Sequence, residues 1–184
     1  MSDAQRTWEF EAFVVAYQDM VFATSVRLLG RAADAEDVAQ TVFLKAWERF
    51  DELSASPSAA GWLRVVATNL SLNHLTRHRR RWQLFSEMGR EGEESDVDPV
   101  EMLKSTGESP DASIERAQRD AGLEAAVRQL PDAQRVPLVL FHFGERSYQD
   151  IAGMLGVSLG KVKTDIHRGR LALRGYLSDD PGSR

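Results

Sequence analysis

The stretch GVSLGKVKTDIHRGR, residues 156–170, sets the reading of the fold. It holds Lys161, Lys163, Arg168 and Arg170 against one acid, Asp165, in a chain whose formal net charge is −5. Together with SYQDIAGML before it, residues 147–155, it has the steric grammar of a helix-turn-helix. Small Ala152 lets a second helix approach. Four residues later Gly156 can take a turn with positive φ. Six beyond that, β-branched Val162 anchors the second helix. Ile151, Leu155, Val157 and Ile166 supply the packing, and Ser158 is a good N-cap.

A helical wheel sorts the rest. With Val162 at zero and about 100° per residue, Ile166 lies near 40°, Gly169 near −20° and Leu173 near 20°. These form the expected buried stripe. Lys163, Thr164, His167, Arg168 and Lys161 spread from about 100° to about 260° on the opposite face. Such a face fits a helix lying in a DNA major groove, with lysine and arginine on phosphates and Lys163, Thr164 and Arg168 within reach of base edges. Asp165 falls near the flank, at about −60°. Its spacing allows ion pairs with Lys161 and Arg168, which is favoured over acceptance from a cytosine amino group.

Charge is uneven along the chain. Residues 1–63 carry net −5, residues 64–81 net +5, residues 82–112 net −7 and residues 113–184 net +2. Two basic patches are thus hidden in an acidic average, and the patches decide what the protein touches. Hydrophobic content of 42% suffices for real cores. The absence of cysteine excludes disulfides, thiolate metal sites and cysteine nucleophiles, and fits a reducing cytosol. The N-terminus has no basic segment followed by an apolar run, so no signal peptide is expected, nor is membrane insertion.

Three helices are expected in the first eighty residues. FEAFVVAYQDMVFATSVRLL places Phe10, Phe13, Val14, Tyr17, Val21 and Leu28 on one stripe, with Gly30 as a stop. DAEDVAQTVFLKAWERF repeats the pattern with Val38, Val42, Leu44 or Lys45, and Trp47 or Glu48. Asp34, Glu36 and Asp37 sit in its expected first turn. DELSASPSAAG reads as a loop broken by Pro57. WLRVVATNLSLNHLTRHRRR is the third helix, ending in Arg77, Arg79, Arg80 and Arg81. Four arginines in five residues exceed what helix capping needs and point to nucleic acid. His74 and His78 share a helix face, but Leu75 stands where a hydrolytic glutamate would, and no metal is expected. Residues 83–112 lack an apolar period and read as an extended acidic linker. Beyond it, SIERAQRDAGLEAAVRQL is an amphipathic helix. Pro131 opens the next one, which Pro137 should kink or split. The expected fold class is all-α, in two small helical domains.

Three blocks resemble, in order and spacing, the extracytoplasmic-function sigma factors of bacterial RNA polymerase: AEDVAQTVFLKAWERF at 35–50, GWLRVVATNLSLNHLTRHRRR at 61–81, and LPDAQRVPLVLFHFGERSYQDIAGMLGVSLGKVKTDIHRGRLALR at 130–174. The resemblance implies a sigma region-2 domain at 1–82, the linker at 83–112, a region-4 domain at 113–178 and a disordered tail at 179–184. It implies that Asp37, Gln40, Phe43, Lys45 and Glu48 dock on the polymerase core of β and β′ subunits. It implies that Trp62, Asn69, Asn73, Arg77, Arg79, Arg80 and Arg81 serve opening of the −10 element, with Trp62 more a core residue than a base wedge. Lys161, Lys163, Thr164, His167, Arg168 and Arg170 would then contact the −35 element on a helix packed through Ala152, Gly156 and Val162. An anti-sigma factor joins core polymerase and promoter DNA among the implied partners. Neither cofactor nor catalytic residue is implied, and the setting is cytoplasmic. In the family the linker threads toward the polymerase active site, where Glu91, Glu93, Glu94, Asp96 and Asp98 could mimic nucleic acid.

The chain departs from the family at several positions. Asn73 stands where NLALDHLR has Asp, and Thr76 where it has Arg. In GTVKSRLHRAR the family has Thr, Arg and Ala where this chain has Lys161, Asp165 and Gly169. These departures bear on promoter sequence rather than on polymerase binding. A DNA-binding regulator that works without polymerase would leave the first two blocks idle. An enzyme would need a phosphate-cradling loop, paired carboxylates or a triad, none of which stands out.

Overall fold

The computed structural model describes the backbone of residues 3–83 and 112–178, and the side chains of 4–77 and 120–177. All regular structure among the described residues is α-helical. The chain divides into two compact units, Met1–Gly89 and Arg90–Arg184. The five linker acids from Glu91 to Asp98 and the tail 179–184 lie outside the described residues.

Unit 1 holds α1 (Asp3–Leu29), α2 (Ala32–Glu48), the single turn α3 (Phe50–Leu53) and α4 (Ala59–Gln83). Its core joins Val21, Val26 and Leu29 of α1 with Val38 and Val42 of α2 and Leu63 of α4. Ala35, Ala46, Ala59 and Ala67 are also buried, and residues this small let the helix axes come close. Gly30, at φ 75, ends α1 as expected. α1 is long and apolar enough, by length and mean hydropathy, to cross a membrane. Its apolar stripe, however, is the one that faces α2 and α4. Arg6 staples one end of the unit: Nη2 donates to the Trp47 carbonyl at 3.3 Å, the guanidinium lies 4.6 Å from the Trp47 ring centroid, and Nε is 3.4 Å from Asp51.

Two expectations for this unit need correction. The loop expected over DELSASPSAAG is shorter, because Asp51–Leu53 complete α3 and α4 begins at Ala59. Buried Phe50 and Leu53 hold that extra turn against the core. Because α2 begins at Ala32, only Asp34 of the three acids lies in its first turn.

Unit 2 holds α5 (Ala112–Gln129), α6 (Asp132–His142), α7 (Tyr148–Leu155) and α8 (Leu159–Ser178). Its buried set includes Val127, Leu130, Leu138, Leu140, Ile151, Val162 and Ile166. Pro131 is the N-cap of α6, as expected, but Pro137 does not split the helix. Pro137 gives up the bond toward the Ala133 carbonyl and crowds that carbonyl, but it is buried between well-packed neighbours, and the helix runs on through it. Arg135 is buried, its side chain 5% exposed. Its Nη1 donates to the Leu130 carbonyl at 2.7 Å and Nη2 pairs with Asp132, so one side chain closes the α5–α6 junction.

Candidate nucleic-acid interface

The helix-turn-helix forms where the spacing places it. Ser147 caps α7: its Oγ accepts from the Asp150 amide at 3.1 Å, and the Asp150 carboxylate accepts from Ser147 in return. Hydrogen bonds from the Ser147 hydroxyl and then its amide hold the Asp150 carboxyl below its ordinary range. Gly156 ends α7 in the left-handed region, φ 66, where a Cβ would be strained. Its amide and that of Val157 both return to the Ala152 carbonyl. Ser158 Oγ then accepts from the Lys161 amide at 3.2 Å, the expected N-cap of α8.

Val162, Ile166 and Gly169 of α8 are buried, whereas Leu173 is only half-buried. A Cβ on Gly169 would sit 2.9 Å from Leu138 Cδ1, so glycine marks a close approach of α8 to α6. Glycine there costs about 1 kcal/mol of helix propensity relative to alanine. On the outer face Lys161, Lys163 and Arg168 are exposed, and Thr164 and His167 are half-exposed. Leu171, 51% exposed, also stands there, and the wheel did not single it out.

Two side chains differ from the outward set. Asp165 is 8% exposed, and its Oδ2 accepts from Lys161 Nζ at 2.9 Å. The intrahelical pairing is therefore the one realised with Lys161, and the burial speaks against contact with a cytosine. Arg170 turns toward α6. Its Nε donates to His142 Nε2 at 3.2 Å, and its guanidinium lies 5.4 Å from the Phe141 centroid. Phe141 in turn meets Tyr148 of α7 at 4.8 Å. One edge of His142 is open to solvent, while its ring lies against Phe141. Desolvation, followed by the Arg170 charge, pushes its pKa below the ordinary histidine value.

In unit 1, α4 carries a second polar stripe. Trp62, Asn69 and Asn73 lie within about 40° of one another at 100° per residue. Asn69, Asn73 and Arg77 are exposed. Trp62 is partly buried against the core, with the Arg49 guanidinium 6.0 Å from its ring centroid. Arg79, Arg80 and Arg81 lie on the backbone of the same helix, but their side chains, like that of His78, are outside those described. His74 is placed 3.6 Å from Asp34.

A third surface is the groove of about 770 Å³ between α1 and α2. Phe10, Val14, Phe22, Phe43, Leu44 and Trp47 line it. Of the residues expected to dock a partner, Gln40 and Phe43 line this groove, and Asp37, Lys45 and Glu48 are exposed on the same helix. Leu44 is 67% exposed and Lys45 is exposed as well, so neither takes the stripe position expected for one of them, and Ala46 fills it instead. On the wheel Leu44 lies at about 200° from Val42, between Gln40 and Asp37. An exposed leucine amid polar neighbours was the signal there to be found.

Residues 13–81 match the family Sigma-70 region 2, and residues 121–173 match Sigma-70, region 4. Over 171 residues the chain is 30% identical to the ECF RNA polymerase sigma factor SigW of Bacillus subtilis, covering 92% of this chain and 89% of that one. It is 31% identical to the RNA polymerase sigma-H factor of Pseudomonas aeruginosa, over 89% of this chain and 83% of that one. Against the ECF sigma factor SigE of Mycolicibacterium smegmatis it is 31% identical, over 95% of this chain and 63% of that one. A solved structure of the sigma factor RpoE with the anti-sigma factor NepR from Bartonella quintana aligns at TM-score 0.47 and 22% identity, covering 93% of this chain and 98% of that one.

Proposed function

The chain belongs to the ECF sigma factors, which direct RNA polymerase to promoters, and we propose on that premise how its surfaces divide the work. α8 enters the major groove of the −35 element. Lys163 and Arg168 take phosphates, and Thr164, Lys163 and Arg168 reach base edges. The observation that carries this reading is the exposed cationic face of α8, set on a capped helix behind a left-handed glycine turn. Arg170, engaged by His142 and Phe141, positions α8 rather than touching DNA. In unit 1, Asn69 and Asn73 accept unstacked bases of the −10 element while Arg77 and the arginines after it track the backbone. Trp62 braces α4. The α1–α2 groove, with Asp37, Gln40, Phe43, Lys45 and Glu48 and with Leu44 added, docks on core polymerase.

The division runs with the two compact units, the acidic stretch between them serving as a strap. The chain acts in the cytoplasm, where its polymerase works. An anti-sigma factor belongs to the same reading as a regulatory partner. It is tested by whether a tagged chain co-purifies with a protein that suppresses run-off transcription.

The deciding experiment is run-off transcription with purified core enzyme across a promoter library. Lys163→Ala and Arg168→Ala are expected to weaken use of the upstream element several-fold while co-purification with core persists. Loss of core binding in those variants would overturn the division of labour.

A further inference from the structure

We infer that Asp165 limits how many DNA phosphates α8 can engage, by holding the Lys161 ammonium on an intrahelical carboxylate. This rests on the reading of α8 as the helix that contacts DNA. The Lys161–Asp165 pair is unlike an ordinary exposed pair, because the acid side chain is 11% exposed and the lysine 53% exposed. Exposed pairs exchange readily with solvent ions and fix little. A carboxylate this buried has lost much of its hydration, and a departing ammonium would strand its charge. Lys161 therefore stays on Asp165, with its Nζ at 2.9 Å, instead of moving to a phosphate.

The consequence is electrostatic. Each phosphate that a lysine or arginine neutralises steepens the fall of log K with log salt by about 0.9. That part of the affinity is blind to sequence. Asp165 removes one such contact from the N-terminal half of α8 and leaves Lys163, Thr164 and Arg168 to the site. Discrimination is a ratio of specific to non-specific binding, so lowering the second raises the ratio.

The test uses the full chain and a duplex free of promoter sequence, read by fluorescence anisotropy between about 50 and 200 mM salt. Asp165→Asn should steepen the salt slope by about 0.9, an extra loss of about threefold in affinity across that range. The double variant D165N/K161A should cancel the gain, which a general loosening of the helix would not do. Asp165→Ser, followed alongside by circular dichroism, reads the same slope should the asparagine variant fail to fold. Lys163→Ala and Arg168→Ala, in the same assay, should each flatten the slope by about 0.9. If those two respond and neither Asp165 variant does, the inference is overturned and the reading of α8 stands. If none responds, the reading of α8 falls and the inference with it.

Discussion

Replacing Arg135 with alanine should destabilise unit 2 by roughly 2–4 kcal/mol. The side chain is 5% exposed, and its contacts with Leu130 and Asp132 set the magnitude. Its bond to the Leu130 carbonyl comes from a charged donor inside the protein, and losing it costs about 1.5–3 kcal/mol. The pair with Asp132, whose side chain is 46% exposed, adds at most about 1 kcal/mol. The aliphatic stem packs as well, so truncation removes more than charge. Asp132→Asn should therefore cost under about 1 kcal/mol, which separates the carbonyl bond from the ion pair. The assay exploits the placement of the tryptophans. Trp8, Trp47, Trp62 and Trp82 all precede Gly89, so tryptophan fluorescence reports unit 1 alone. Far-ultraviolet circular dichroism reports both units. In urea the Arg135→Ala transition seen by dichroism should move to lower denaturant while the fluorescence transition holds its midpoint. A dichroism shift worth less than about 0.5 kcal/mol would refute the energetic argument. An equal shift in fluorescence would mean that the loss is not confined to unit 2 and would refute the assignment of the effect to the α5–α6 junction.

Two further outcomes are expected. His142 has a folded pKa below its ordinary 6.5, so the unfolded chain takes up the proton first; the stability of unit 2 should be full above that value and fall as pH drops through the folded pKa. Urea titrations followed by dichroism across this range should show the step, and His142→Gln should abolish it. Leu44→Asp should leave the unfolding transition of unit 1 within about 0.5 kcal/mol, since the side chain is 67% exposed, yet abolish co-purification with core polymerase. Retained binding would remove the α1–α2 groove from the docking surface.

The helix-turn-helix was legible because its constraints are local and steric. Ala152, Gly156 and Val162 stand at fixed offsets, and the left-handed φ of Gly156 and the cap by Ser158 follow from residue type alone. Val21 and Leu28 on the stripe of α1 and the start of α6 at Pro131 were legible for the same reason, whereas Val14 of that stripe lines the α1–α2 groove. Contacts between distant residues were not. Arg170 meets His142 across 28 positions, and nothing in either residue's neighbourhood announces it. Arg135 is an arginine that a periodicity count assigns to solvent, yet a carbonyl left bare at the end of α5 draws it inward. Asp165 lay on the flank of a wheel, and 100° per residue cannot tell a flank that faces water from one that faces a neighbouring helix. In the candidate site, face membership and the Lys161–Asp165 pair were therefore readable, and the burial of Asp165 and the engagement of Arg170 were not.

Tyr148, Phe141, His142 and Arg170 form one connected chain of contacts reaching across α7, α6 and α8. Rolling α8 about its own axis would unstack that chain at more than one point. On the proposed reading of α8, the helix would then meet DNA as a stamped die and not as a pliable finger. A wrong base is answered by a missing contact, with little re-docking to compensate, so the penalties of separated mismatches should simply add.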